Sequence, residues 1–129
     1  MVLPNAVWVA VGSALGGVLR YGVGVALQGQ QPGGVPLGTW LVNIAGSLAF
    51  GALLARQTVS AMPPPIYLFC TTGLLGGFTT YSAFNGEMLQ LALQSRWQQL
   101  ATYLAVTVLG CLAGGAAGYW LGQLTAPPI

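Results

Sequence analysis

The residues of this chain whose types could do chemistry are concentrated in the run 73–87, which reads G-L-L-G-G-F-T-T-Y-S-A-F-N-G-E. Glycines at its start weaken a helix, and four hydroxyl-bearing residues follow in succession: Thr79, Thr80, Tyr81 and Ser82. Irregular backbone at membrane depth is tolerated only inside protein or beside water. The run therefore predicts a broken helix, whose freed carbonyls can coordinate a hard cation such as Na⁺. A kink filled by threonine hydroxyls is the simpler alternative.

Two further segments carry polar groups at helical spacing. Asn43 stands one turn before Ser47, and an amide in a bilayer must bond to another helix, to water or to a passing solute. Tyr103, Thr107 and Cys111 form an i, i+4, i+8 row. That row can line a path, although a threonine can equally bond to its own helix carbonyl. Amide and hydroxyl donors suit a small, strongly hydrogen-bonding anion.

Aromatic rings add a second kind of contact for an anion. Tyr81 and Phe84 are three residues apart and share a helical face. Their ring edges carry partial positive charge and can face an anion where a charged group would be too costly, with plain packing as the alternative.

The charged residues are few, and each is therefore a candidate. Glu87 is the only acid, and an ionisable group within a membrane is a functional candidate that needs a partner. Arg20 and Arg96 are the candidate partners, with a position near enough to the helix end to be wetted as the alternative. Arg20 either lines a water-filled mouth or is an arginine at a helix end whose head reaches the interface.

The composition places all of these residues in a membrane. Of 129 residues, 55% are hydrophobic and 3% are charged, against about a quarter charged in soluble domains. The charge-free runs 21–55, 57–86 and 97–129 each exceed the roughly 20 residues that a helix needs to cross a bilayer. No cleavable signal peptide is evident. With no histidine and one acid, metal or acid–base catalysis lacks its usual parts, so no enzyme is expected, and a net charge of +2 is too small for nucleic-acid binding.

We expect an all-α membrane protein with a single domain over 1–129. Its four transmembrane helices are predicted at about 5–27, 38–56, 66–93 and 100–124, the third long enough to contain a break, and alternating barrel strands are not evident. Glycines recur every four residues, as in Gly12 with Gly16 and from Gly110 to Gly122. Such faces serve helix packing within a subunit or between subunits.

The arginines do not favour one orientation in the membrane. Arg56 and Arg96 lie on opposite sides of the predicted helices, so the positive-inside bias is close to zero. A chain of this kind can insert in both directions and pair head to tail. Four helices are also few to enclose a pathway, which favours a dimer.

Three motifs resemble those of the Fluc (CrcB) fluoride channels of bacteria and archaea: G-G-V-L-R-Y at 16–21, G-T-W-L-V-N-I-A-G-S at 38–47 and the run 73–87. The resemblance covers essentially the whole chain. It implies an antiparallel, dual-topology homodimer in the prokaryotic inner membrane. Such a dimer would have two pores, passive fluoride export that relieves fluoride toxicity, and a central structural Na⁺.

The resemblance also assigns roles to residues. Asn43 would be the pore amide donor, Tyr81 and Phe84 would present ring edges to fluoride, and the carbonyls of Gly76 and Thr79 would bind Na⁺. The remaining expected positions are Ser82, Tyr103 and Thr107 along the pore and Arg20 in the vestibule. Tyr81 stands where the family has phenylalanine, and Cys111 where a small hydroxyl residue is common.

The main alternative is a small exporter of the multidrug-resistance type that couples cation export to protons. Members of that family are also short, four-helix and dual-topology proteins. They rely on an acidic residue in the first helix, and the segment 5–27 has none. Glu87, on the third predicted helix, is in the wrong place for that role.

Overall fold

The protein is described by a computed structural model that covers residues 2–125. In chain order the helices are α1 (Val2–Ala26), α2 (Leu37–Val59), α3 (Pro64–Leu68), α4 (Gly76–Phe78), α5 (Tyr81–Leu93) and α6 (Trp97–Leu124), with a 3₁₀ turn at Pro32–Gly34 and a π-helical segment at Phe69–Leu75. The domain expected over 1–129 also includes residue 1 and residues 126–129, which lie outside the described residues.

Three of these helices are long and apolar enough to cross a membrane: Leu3–Ala26, Leu37–Val59 and Trp97–Leu124. They confirm the expected all-helical membrane protein. Their ends lie within a few residues of the predicted ones because proline and glycine residues in the sequence set them. Pro36 precedes α2, and Gly29, with a φ of 77°, follows α1 in the left-handed region that glycine adopts without strain.

The third hydrophobic segment, predicted as a helix at about 66–93, is not one continuous α-helix. It runs as α3, the π-helical segment and α4, and the helical conformation stops at Phe78. Thr79 (φ −80°, ψ 157°) and Thr80 (φ −151°, ψ 111°) are extended. Helical conformation resumes at Tyr81, so an extended dipeptide separates α4 from α5.

The helices pack as two close pairs joined by glycines. α1 lies against the π-helical segment, where a Cβ on Gly12 would stand 2.5 Å from the carbonyl oxygen of Phe69. α2 lies against α6, where a Cβ on Gly122 would stand 2.7 Å from the carbonyl oxygen of Ala52. At these positions the glycine spacing therefore serves packing within the chain, which is the first of the two alternatives that the sequence left open.

The outer faces of the bundle are apolar and exposed. Val18 on α1 and Leu112 on α6 have 69% and 67% of their surface exposed. The buried core is small by comparison, and its main cluster is formed by Val35, Phe84, Leu91 and Tyr103. An exposed apolar surface of this extent would favour aggregation in water, whereas the hydrocarbon chains of a lipid bilayer solvate it.

Candidate functional site

A groove of about 550 Å³ runs along one side of the bundle beside the extended dipeptide. Its walls come from α2, the π-helical segment, α4, α5 and α6. The lining residues are Asn43, Gly46, Ser47, Phe50, Thr71, Leu75, Gly76, Thr79, Thr80, Tyr81, Phe84, Thr107, Val108, Cys111 and Leu112. No arginine, lysine or carboxylate is among them. The groove is thus mostly apolar, with a few amide, hydroxyl and thiol groups converging on it, as in a site that orients a small ligand.

Asn43 holds the extended dipeptide through two reciprocal hydrogen bonds. Its Nδ2 donates to the carbonyl oxygen of Thr80 at 3.1 Å, and the Thr80 N–H donates to Asn43 Oδ1 at 2.8 Å. The amide therefore replaces backbone bonds that a continuous helix would have made. Asn43 thereby joins α2 to the extended dipeptide. This is the hydrogen bond to another helix that the sequence left open as one alternative.

Two backbone carbonyls in the groove wall lose their helical donors at the break. In a continuous helix the Thr80 N–H would bond to the carbonyl of Gly76, but here it bonds to Asn43. The Ala83 N–H would likewise bond to the carbonyl of Thr79, but it donates to Thr80 Oγ1 at 3.1 Å and caps α5. Gly76 and Thr79 both line the groove. Oxygens of this kind fit the donor set of a hard cation such as Na⁺.

Three aromatic rings stand edge to face beside the break. The ring centroids of Tyr81 and Phe84 are 6.0 Å apart, and those of Phe84 and Tyr103 are 5.0 Å apart. Phe84 is 5% exposed and Tyr103 is fully buried, whereas Tyr81 is 75% exposed. The Phe84 ring is therefore held from behind, while Tyr81 is free on the open side of the groove.

Thr107 presents a hydroxyl that is unpaired among residues 3–125. The residue is 4% exposed, and within residues 3–125 its Oγ1 has no hydrogen-bond partner. It does not bond to its own helix carbonyl, as Thr102 on the same helix does. A buried hydroxyl without a partner costs about 1–3 kcal/mol, and it donates readily to any ligand that reaches it.

Glu87 is paired with hydroxyl groups, so the predicted arginine partner is wrong. Thr39 Oγ1 donates to Glu87 Oε1 at 2.7 Å, and the Tyr103 hydroxyl donates to Oε2 at 2.6 Å. Arg20 Nε donates instead to the carbonyl oxygen of Gly77 at 3.0 Å, and Arg96 bonds to its neighbour Gln94.

The structure brings together most of the residues singled out from the sequence. The groove wall contains Asn43, Tyr81, Phe84, Thr107, Gly76 and Thr79. Ser82 and Tyr103 lie beside it, since Ser82 Oγ is 3.2 Å from the Thr80 hydroxyl and Tyr103 contacts Phe84 while bonding to Glu87. Arg20, on α1, is not part of the groove wall. Sequence reasoning missed Thr39, although it precedes Asn43 by four residues, a spacing that would have extended the polar face of α2.

A helical chain with three membrane-length apolar helices is a multi-pass membrane protein. Its groove is uncharged and mostly apolar, and the few polar groups in its wall suit a small hydrogen-bonding solute. Residues 7–119 match the family model described as "CrcB-like protein, Camphor Resistance (CrcB)". The chain belongs to the CrcB family.

Curated relatives agree with the family match over most of their length. A "Fluoride-specific ion channel FluC" of Anaeromyxobacter dehalogenans is 47% identical over 111 residues, which are 84% of this chain and 87% of the relative. A protein of the same name from Gloeobacter violaceus is 41% identical over 127 residues, or 97% and 98% of the two chains. "Fluoride-specific ion channel FluC 1" of Listeria monocytogenes is 36% identical over 121 residues, or 94% and 99%.

Proposed function

We propose that this chain forms a fluoride-specific ion channel in the prokaryotic inner membrane and lets fluoride leave the cell down its gradient, which relieves fluoride toxicity. The observation that carries the proposal is the uncharged groove in which Asn43, Phe84 and Thr107 converge beside the break. The names of the relatives point to the same ion. The chain is a channel rather than an enzyme.

The donors of the groove account for passage of a strongly hydrated anion. Asn43 Nδ2 carries two protons, and its bond to Thr80 uses one of them. The second proton, the Thr107 hydroxyl and the edge of the Phe84 ring can each replace a water molecule around fluoride. None of them carries a full charge, so the ion is held weakly enough to leave again.

The groups around the groove would extend the path at its ends. Tyr103 lies edge to face against Phe84, and its hydrogen bond to Glu87 holds the Tyr103 ring in place. Ser82 lies at the start of α5 and is exposed, so its hydroxyl can accompany the ion towards water. Arg20 is partly buried and attracts anions to a vestibule through its charge.

The transport unit that we propose is an antiparallel, dual-topology homodimer. In each subunit the segments on both sides of Thr79 and Thr80 together would form a broken third crossing, which gives four crossings. Tyr81 is 75% exposed at the open side of the groove, and a second subunit would cover it and close two pores. The balanced arginines permit opposite insertion of the two copies.

A structural Na⁺ at the dimer interface belongs to the same proposal. The carbonyl oxygens of Gly76 and Thr79 have lost their helical donors and would be its ligands. When bound, the ion would supply fixed positive charge that balances these carbonyl dipoles. Asn43 holds the Thr80 backbone beside these carbonyls through its two hydrogen bonds.

The test is ion efflux from liposomes that contain the purified protein. Fluoride-loaded liposomes should empty rapidly, matched chloride-loaded liposomes should not, and Phe84→Ile should abolish fluoride release. Phe69→Ile is the matched control, since Phe69 lies outside the groove and its ring packs against Trp8 at 6.3 Å. No fluoride release from folded protein, or equal release of chloride, would contradict the proposal and make proton-coupled cation export the next activity to test.

A further inference from the structure

The two cysteines of the described chain are both free and both partly buried, but they lie in different places. Cys111 on α6 lines the groove, whereas Cys70 belongs to the π-helical segment and is not part of the groove wall. Cys111 is therefore a nucleophilic atom in the wall of the proposed ion path, and Cys70 is a built-in comparison.

A second observation marks the same place as one that can receive a ligand. Thr107 precedes Cys111 by one helical turn, which puts the two side chains about 5–6 Å apart at their Cβ atoms. The Thr107 hydroxyl is buried and has no partner within residues 3–125, and it lines the same groove. A thiol and an unsatisfied hydroxyl thus stand side by side on one wall.

We infer that Cys111 makes the groove a binding site for soft, thiol-binding metal ions such as Hg(II) or Ag(I). Thiolate sulfur selects soft metals, whereas hard ions prefer oxygen ligands. Residues 2–125 contain no cluster of three or more His, Cys, Asp or Glu side chains that would hold a metal. The site therefore suits an ion that needs only one thiolate, with the Thr107 hydroxyl as a weaker neighbour.

The binding step balances without an oxidant or a reductant. The S–H bond of Cys111 breaks and its proton passes to water, while a sulfur–mercury bond forms and one chloride leaves mercuric chloride. Neither sulfur nor mercury changes its oxidation state. The ion then occupies the groove beside Thr107, and an excess of a small thiol removes it by exchange.

The consequence for transport rests on the proposed function, whereas the binding itself does not. A chloromercury group fixed at Cys111 adds bulk to the wall of the proposed ion path. Fluoride passing through would be obstructed, since conduction requires an open path with weak binding. The channel should therefore be sensitive to soft metals at a single named position.

The experiment uses the full chain in liposomes with mercuric chloride as the probe. Intact-mass measurement counts mercury on the parent, on Cys70→Ala and on Cys111→Ser, and fluoride efflux of each is compared with its own rate before treatment. We expect one mercury per chain on Cys70→Ala and about a tenfold or greater loss of its efflux, as for an occluded narrow pore. Dithiothreitol should restore that efflux. Cys111→Ser should lose less than about twofold, since its groove wall then holds no soft ligand.

Several results would overturn the inference. Mercury that reacts with Cys70 but not with Cys111, or an equal loss of efflux in Cys111→Ser, would show that the groove thiol is not the site. Mercury bound at Cys111 with unchanged fluoride efflux would show that the bound metal does not obstruct fluoride transport. A parent protein without fluoride efflux before treatment would contradict the proposed function alone, since the mass measurement on Cys70→Ala still decides whether Cys111 binds the metal.

Discussion

The reciprocal pair between Asn43 and Thr80 leads to a prediction about stability as well as transport. Asn43→Ala removes both partners of the Thr80 backbone at once. Thr80 is 8% exposed, so its N–H and its carbonyl stay largely shielded from water. An unsatisfied buried polar group costs about 1–3 kcal/mol, so two of them place the loss in the free energy of unfolding at about 2–6 kcal/mol. Water entering from the groove favours the lower half of this range.

Ser47→Ala is the matched control for this variant. Ser47 lies one turn further along the same face of α2 and lines the same groove. Its hydroxyl donates at 2.8 Å to the carbonyl of Asn43, within its own helix. Removing it strands no backbone group, so the free energy of unfolding should change by no more than about 0.5 kcal/mol.

The measurement is the unfolding of the purified variants in detergent micelles, titrated with a denaturing detergent and followed by circular dichroism. Fluoride efflux from liposomes is recorded beside it. Asn43→Ala should be destabilised and should lose fluoride efflux, because the break is no longer held in place. An unfolding free energy within about 1 kcal/mol of the parent would refute the role of Asn43 as the clamp of the break.

Two further predictions follow from the buried hydroxyl and from the glycine contacts. Thr107→Val removes a hydroxyl that has no partner within residues 3–125. The free energy of unfolding should therefore stay equal or rise by about 1 kcal/mol, while fluoride efflux falls. A clear loss of stability would contradict this account. Gly118→Ala places a Cβ against the Leu48 carbonyl of α2 and should destabilise the protein by about 1–3 kcal/mol, whereas Gly22→Ala on α1, where nothing lies within 4 Å, should be neutral or slightly stabilising. Equal effects of the two glycine changes in the same denaturation assay would argue against close packing of α2 on α6.

Much of this architecture could be predicted from the sequence because its signals are local. Charge-free runs and the prolines and glycines between them located α1, α2 and α6 within a few residues. Three glycines followed by threonines likewise located the interruption at Thr79 and Thr80. Composition and helical spacing are properties of residues close together in the sequence, so they do not depend on the tertiary arrangement.

The pairing of polar groups could not be predicted in the same way because it depends on how helices face each other. Glu87 and Thr39 are separated by 48 positions, and no periodicity within one helix reports that their side chains meet. Charge alone favours an arginine as the partner of Glu87, but two nearby hydroxyls already satisfy the carboxylate. The π-helical turn at Phe69–Leu75 was also missed, since helical spacing alone does not separate it from an α-helix.

The pairing of α2 with α6 has a consequence for the order in which the protein is made. α2 is synthesised about sixty residues before its partner, which corresponds to roughly 3–12 s at ordinary rates of translation. During that interval the face of α2 that receives Gly118 and Gly122 is in the membrane without α6. The α1 pair, by contrast, is complete once the π-helical segment has been inserted. A chain released before Trp97 therefore holds α2 in the membrane without the helix that its glycine-contacting face packs against.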